Sequence, residues 1–223
     1  MLNILTEVLT QEELQQMRAL VAEAEFEDGK ATAGYRAKLV KHNEQLKRGE
    51  KSAETLKQMV INALFRHQGF RSVTFVRSVR PPLISRYKPG MEYGLHVDDP
   101  LMGGERRERT DIALTLFISE PADYDGGELY FESPWGAQKV KLPAGSAVVY
   151  PARTLHRVMP VTRGERLAAV TWAQSYVRDE QHRELLFELE RVRAFLHKQA
   201  PQAPETHLAF KCCANLLRLW AEP

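Results

Sequence analysis

His96-Val97-Asp98, taken with His156 and Arg166 further along, are the residues of this chain whose types and spacing suit metal chemistry. In an extended strand alternate side chains share a face, so His96 and Asp98 point the same way with one residue between them. If His156 arrives from a later strand, two imidazoles and one carboxylate occupy one side of a metal ion. The opposite side stays open, the arrangement of a non-haem iron site that must still accept oxygen and a chelating acid. Arg166 is the candidate for holding that acid, because a guanidinium pairs bidentately with a carboxylate and does not deprotonate.

Strands must position these residues, and the pattern from about residue 71 supplies them. Short β-branched or aromatic runs separated by Pro and Gly predict strands over 84–88, 94–98, 111–118, 128–132, 137–141, 147–151, 155–160 and 166–174. Turn signals fall between them at Asp125-Gly126-Gly127, Pro143-Ala144-Gly145 and Arg163-Gly164-Glu165. The last of these, preceded by Thr162, predicts that His156 and Arg166 lie on successive strands of a hairpin. About eight short strands with such breaks favour a jelly roll of two sheets.

Helical patterns flank this region. Thr10 with Glu13 reads as a capping box ahead of Leu14, Met17, Leu20 and Val21, and Ser52 as the cap of a second helix carrying Leu56, Met59, Val60 and Leu64. Beyond Ser175, Leu185, Leu189, Val192 and Leu196 form one helical stripe, and Phe210, Leu216, Leu217 and Trp220 another after the Pro201 to Pro204 break. The expected architecture is therefore α+β: a double-stranded β-helix (jelly roll) core with N-terminal helices and a C-terminal helical extension. Its parts are a helical segment over 1–70 packed on the core, the jelly roll over 71–176, and a helical segment over 177–223.

Composition narrows the function. A chain of 223 residues with 43% apolar residues can bury a sizeable core, and a net charge of +2 gives no electrostatic case for nucleic acid or an anionic membrane. The start, MLNILTEVLTQEEL, lacks the basic region of a secretory signal, and no apolar run approaches the about 18 residues of a membrane span. The two cysteines, Cys212 and Cys213, are adjacent, which suits neither a disulfide framework nor a zinc motif. A reducing, cytoplasmic setting is expected.

The run Arg86-Tyr87 through Gly94-Leu95-His96-Val97-Asp98 resembles the Fe(II)/2-oxoglutarate dioxygenases of the prolyl/lysyl-hydroxylase-like group. So do Asp125-Gly126-Gly127-Glu128-Leu129, Pro143-Ala144-Gly145, and Leu155-His156 to Gly164-Glu165-Arg166. The chain is more specifically similar to the bacterial PKHD-type hydroxylases, including PiuC-like proteins associated with iron uptake, and the resemblance extends into the C-terminal helical segment. It implies iron ligands at His96, Asp98 and His156, and Arg166 on the distal carboxylate of 2-oxoglutarate. It also places Tyr87 where a hydroxyl can hydrogen-bond the co-substrate. The implied reaction hydroxylates a C–H bond and converts 2-oxoglutarate and O₂ to succinate and CO₂, with L-ascorbate as accessory reductant. Halogenating relatives replace the carboxylate ligand with a small residue, so Asp98 favours hydroxylation.

Other readings accompany this one. A non-catalytic cupin-like metal-binding or sensor protein would share the fold, but it has no need of the clamp at Arg166. Trp172 shares a strand face with Val170 and is expected to pack in the barrel. Lys41 to Gln45, placed between two helices, reads as a polar loop able to cover the site, with Lys41, Asn43 and Gln45 as candidates for substrate contact. The stretch 100–110, with Gly103-Gly104, Arg106, Arg107 and Arg109, reads as a mobile loop able to act as a lid. His42, His67, His182, His197 and His207 have no paired ligands and are expected in surface or packing roles. The expected partner is a small-molecule or peptide substrate, without nucleic acid or membrane. Self-association through the stripes of the terminal helices is the other candidate interaction.

Overall fold

The computed structural model describes residues 2–105, 107–133 and 136–222. Strand β1 (Asn3–Leu5) leads into α1 (Gln11–Ala22). The capping box is present: Thr10 N–H donates to Glu13 at 2.9 Å, and Glu13 N–H donates to the Thr10 hydroxyl at 3.2 Å. Three short strands follow, β2 (Phe26–Asp28), β3 (Lys41–His42) and β4 (Glu44–Leu46). Helix α2 (Lys51–Arg66) starts from Glu50, whose carboxylate accepts from Lys51 N–H, rather than from Ser52, and α3 (Gln68–Thr74) follows directly.

The jelly-roll strands come next: β5 (Val76–Val79), β6 (Leu83–Tyr87), β7 (Glu92–His96), the small hairpin β8 (Leu101–Met102) and β9 (Glu108–Arg109), then β10 (Ile112–Phe117). They continue with β11 (Tyr124–Gly126), β12 (Leu129–Phe131), β13 (Gln138–Val140), β14 (Ala147–Pro151), β15 (His156–Val158), β16 (Val161–Gly164) and β17 (Arg166–Ser175). Helices α4 (Glu180–Gln199) and α5 (Pro204–Trp220) close the chain. The eight strands expected from the sequence all appear, with ends displaced by no more than two residues.

Two sheets face each other. The larger has eight strands in the order β1-β14-β10-β17-β6-β4-β2 with β5 on β17, and the smaller has five in the order β13-β12-β15-β7-β3. Strand β10 shows how the larger sheet is used, since all six of its residues are buried. Ile112, Leu114 and Leu116 join Leu14, Met17, Leu56 and Leu64 in a core between sheet and helices, while Ala113 and Phe117 face inward to Leu129, Phe131 and Val158. A strand covered on both faces loses the polar alternation of a half-exposed one.

Two further expectations are corrected. Residues 1–70, expected as helical, also supply β1 to β4. Short polar strands such as Lys41 to Leu46 carry no apolar alternation to betray them, and only pairing with β6 and β7 makes them strands. The stretch 162–165 is not the turn of a hairpin joining His156 to Arg166. Residues 161–164 form β16, which leaves the smaller sheet to pair with β11 in a separate two-stranded sheet, and the chain then enters the larger sheet at β17. Gly164, at φ +71°, makes this crossing where any Cβ would overlap the Asp123 carbonyl oxygen.

The stripe on α4 is only partly used. Leu186 is buried, but Leu185 and Val192 face solvent, and α5 packs Thr206, Ala209 and Cys213 inward while Phe210 and Leu217 stay exposed.

Candidate active site

His96 ends β7 and His156 begins β15, and the two are direct cross-strand partners in the smaller sheet. Antiparallel pairing therefore brings together two imidazoles sixty positions apart, with ring centroids 4.3 Å from each other. Asp98 lies two residues past His96, beyond the end of β7 rather than within it. One ligand atom from each of His96, Asp98 and His156 lies within 4.8 Å of the others, the span of a single ion.

Both imidazoles are oriented by backbone. His96 Nδ1 lies 2.8 Å from the Gly94 carbonyl oxygen, and His156 Nδ1 lies 2.9 Å from that of Thr154. A carbonyl oxygen only accepts, so each Nδ1 carries the proton and each Nε2 keeps a free lone pair directed at Asp98. Those Nε2 atoms stand 4.0 Å from the two Asp98 oxygens. Tyr93 stacks on His96 at 3.6 Å, and Tyr150 meets His156 edge-on at 5.1 Å. Burial, reinforced by His156, pushes the His96 imidazole pKa down to about 3, so the ring is neutral as a metal ligand must be. Burial also raises the Asp98 carboxyl, opposed by His156 and the Trp172 indole N–H. A divalent cation would reverse that shift.

Two buried groups in the cavity stand without partners among the described residues. Asp98 Oδ2 has no hydrogen-bond partner, and neither do the three guanidinium nitrogens of Arg166. Arg166 is 1% exposed, and its guanidinium lies over the rings of Tyr87 at 5.1 Å and Phe117 at 5.5 Å. An unpaired buried charge costs several kcal/mol, so a carboxylate and a guanidinium left open in one cavity fit a cation and an anion respectively. The residues present thus fit an iron ion and a dicarboxylic acid. Gly127 makes room for Arg166: at φ +65°, a Cβ there would come within 3.0 Å of Arg166 Cδ and of the Tyr124 ring. The Gly-Gly turn therefore shapes the Arg166 end of the cavity as well as reversing the chain.

Arg166 and Tyr87 are direct cross-strand partners on β17 and β6 of the larger sheet, so the guanidinium faces the histidines from the opposite wall. Burial raises the Tyr87 pKa, against the pull of Arg166 and Asn43, which leaves its hydroxyl protonated and able to donate. The cavity encloses about 720 Å³ counting its open mouth, and His96, Asp98, His156, Arg166 and Tyr87 all line it. Trp172 lines it too, while packing against the apolar interior of the roll as expected. Lys41, Asn43 and Gln45 also line it, from strands instead of the expected loop. The expected loop over 100–110 carries the β8–β9 hairpin, held by Arg80, which donates to Met102 O at 3.1 Å and pairs with Glu108 at 2.9 Å. Arg109 is engaged by Asp111 and Glu222, and Arg106 lies outside the described residues.

A jelly roll with an open His, Asp and His face opposite a buried arginine defines the class of iron oxygenases that take a 2-oxo acid. The sequence agrees, since residues 82–174 match the 2OG-Fe(II) oxygenase superfamily. The whole chain is 50% identical to a PKHD-type hydroxylase of Acaryochloris marina, covering 100% of both chains, and 47% identical to one of Thioalkalivibrio sulfidiphilus at the same coverage. The chain belongs to the PKHD-type hydroxylases, and it is a 2-oxoglutarate-dependent dioxygenase that uses Fe(II), 2-oxoglutarate and O₂.

Solved structures share the fold at low identity. A Pseudomonas putida prolyl-4-hydroxylase matches with TM-score 0.53 at 18% identity, over 78% of this chain and 92% of that one. A Trichoplax adhaerens prolyl hydroxylase, solved with a hypoxia inducible factor oxygen degradation domain peptide fragment, matches with TM-score 0.55 at 18% identity, over 82% and 86%. Among the described residues, no helix is long and apolar enough to cross a membrane.

Proposed function

We propose that His96, Asp98 and His156 hold the iron, that Arg166 binds the distal carboxylate of 2-oxoglutarate, and that the Tyr87 hydroxyl donates to the same acid. The observation that carries this reading is the pair of unsatisfied buried charges, Asp98 Oδ2 and the Arg166 guanidinium, on opposite walls of one cavity. When bound, iron and 2-oxoglutarate supply the oxidising chemistry, which yields succinate, CO₂ and a hydroxylated substrate. The chain's part is to bind, orient and exclude water. Gly94 and Thr154 carbonyls hold the imidazoles in the ligating tautomer, and Tyr93 and Tyr150 restrain their rings. Arg166 fixes one end of the acid so that its other end reaches the metal face, and the aromatic rings of Tyr87 and Phe117 keep water from the guanidinium.

The substrate in this proposal is a peptidyl side chain or a small molecule. The Trichoplax adhaerens neighbour, solved with a peptide, supports the former, and the modest cavity supports the latter. L-ascorbate as reductant, a link to iron uptake and a cytoplasmic location belong to the same proposal. The free thiols Cys212 and Cys213 support the last of these. Succinate release from 2-oxoglutarate under Fe(II) and O₂, with Asp98→Ala as control, tests the enzyme reading. If the wild type releases no succinate and its metal absorption does not respond to 2-oxoglutarate, the non-catalytic metal-binding alternative replaces it.

A further inference from the structure

The wall formed by β3 and β4 has an unusual pattern. Along residues 41–46, burial alternates with period two, and the inward residues are Lys41, Asn43 and Gln45, at 5%, 3% and 5% exposure. A strand lining an ordinary core would turn apolar side chains inward. This one turns in an ammonium and two amides. It also joins the two walls of the cavity, since Lys41 pairs with Tyr93 of the smaller sheet and Gln45 with Ser85 of the larger.

The three differ in how far they are satisfied. Gln45 is committed to the protein: it accepts from the Thr32 hydroxyl at 2.5 Å and donates to Ser85 at 3.3 Å. Among the described residues Asn43 has neither amide atom in a hydrogen bond of ordinary geometry, and its one polar influence is on the neighbouring Tyr87 hydroxyl. Lys41 donates to the Thr32 hydroxyl at 3.1 Å and lies 5.3 Å from the Tyr93 ring centroid, but the described residues give it no ion pair. Thr32 and Tyr93 do not neutralise an ammonium, and the carboxylates that act on it, Asp28 and Asp98, do so from beyond ion-pair contact, whereas a buried charge normally has a counter-ion. The cavity has two cations in its lining, and the reading above assigns Arg166 to 2-oxoglutarate. Lys41 is left over, on the strand that pairs with the His96 strand.

We propose that Lys41, with the amide of Asn43 beside it, binds a carboxylate of the substrate that is oxidised. The substrate class is then a small organic acid, such as a free amino acid or the C-terminal residue of a peptide, in preference to a residue inside a polypeptide. The inference rests on the assignment of Arg166 to the co-substrate. Burial also brings the Lys41 pKa down to about 8, which leaves the ammonium the majority form at neutral pH.

Isothermal titration of the full chain loaded with Zn(II) and 2-oxoglutarate, without oxygen, tests this. The probes are L-proline, L-lysine, L-arginine and N-acetyl-L-proline, each against its carboxamide. At least one carboxylate is expected to bind tenfold or more tightly than its amide. Lys41→Met should erase that preference, and Lys41→Arg should keep most of it, while both hold 2-oxoglutarate within about threefold of the wild-type Kd. Equal binding of acids and amides by the wild type, or binding of none of the acids, overturns the proposal. So does a Lys41→Met chain that loses 2-oxoglutarate as it loses the probes, which would move Lys41 to the co-substrate. A wild type that binds no 2-oxoglutarate instead fails the functional reading itself, and this inference with it.

Discussion

The larger sheet holds its part of the site on a wall covered on both faces, whereas the smaller sheet holds the histidines on a wall with one face in water. Arg166 and Tyr87 sit on β17 and β6, behind which α1, α2 and α3 pack a continuous apolar layer. His96 and His156 sit on β7 and β15, whose outward neighbours Leu95 and Arg157 are exposed and half-buried. The clamp is therefore fixed by bulk packing, while the imidazoles are fixed one at a time, by a carbonyl and a ring each. A wall that must hold a bare guanidinium needs a rigid backing, because none of the described residues satisfies that group. A metal site needs less backing, since the ion itself ties its three ligands together once bound.

The largest effect expected is at Asp98. Asp98→Ala should abolish succinate release, and it should also remove the stabilisation that Mn(II) or Zn(II) gives the wild type, about 2.7 kcal/mol at a hundred times Kd. In metal-free protein the same change should leave the melting temperature level or raise it, since it deletes an unsatisfied buried carboxylate oxygen. A clear loss of metal-free stability would show that Asp98 is structural. On the opposite wall, Arg166→Ala should weaken 2-oxoglutarate by roughly a hundredfold, as two charge-assisted hydrogen bonds would predict. Arg166→Lys should recover only part, because an ammonium lacks the fork. Titration of 2-oxoglutarate by calorimetry measures both.

The backing itself is tested by core truncation. Met17→Ala, in the helix layer at 0% exposure, should cost about 2–5 kcal/mol in urea unfolding. Val140→Ala, on the edge strand of the smaller sheet, should cost about 1 kcal/mol, since the site is partly open and the side chain small. Equal costs would erase the difference between the two walls. The smallest effect is at Glu13, whose carboxylate caps α1 and is held below the ordinary carboxylate range chiefly by its hydrogen bonds from Arg66. A carboxyl depressed in the folded state adds stability above its unfolded pKa and loses it as pH falls through the folded value. Glu13→Gln should therefore cost about 1 kcal/mol near pH 7, and the difference from wild type should shrink to nothing in acid. Thermal melts at several pH values would show it.

Much of this was legible from residues alone. The His-x-Asp pair, the later histidine and the arginine all line one cavity, and metal and carboxylate chemistry admit few residue types. The strands of the roll showed through their β-branched runs and glycine turns, and the α1 cap through Thr10 and Glu13. What stayed hidden had no local signature. Lys41 to Leu46 is too short and polar to read as strand, and Trp172 is as apt for a core as for a cavity. The link between His156 and Arg166 was misread for a similar reason. A glycine turn says that the chain changes direction, not whether the next strand returns to the same sheet or crosses to the other.

The sequence by itself determined the reaction class, since a fixed set of donor atoms at characteristic spacings is a chemical requirement written residue by residue. Only the tertiary structure decided the walls: that His96 and His156 are cross-strand partners in one sheet, that Arg166 and Tyr87 are partners in the other, and that a polar strand joins them. Pairing between strands depends on long-range contacts whose value comes from closing the whole roll, and no single segment carries that information.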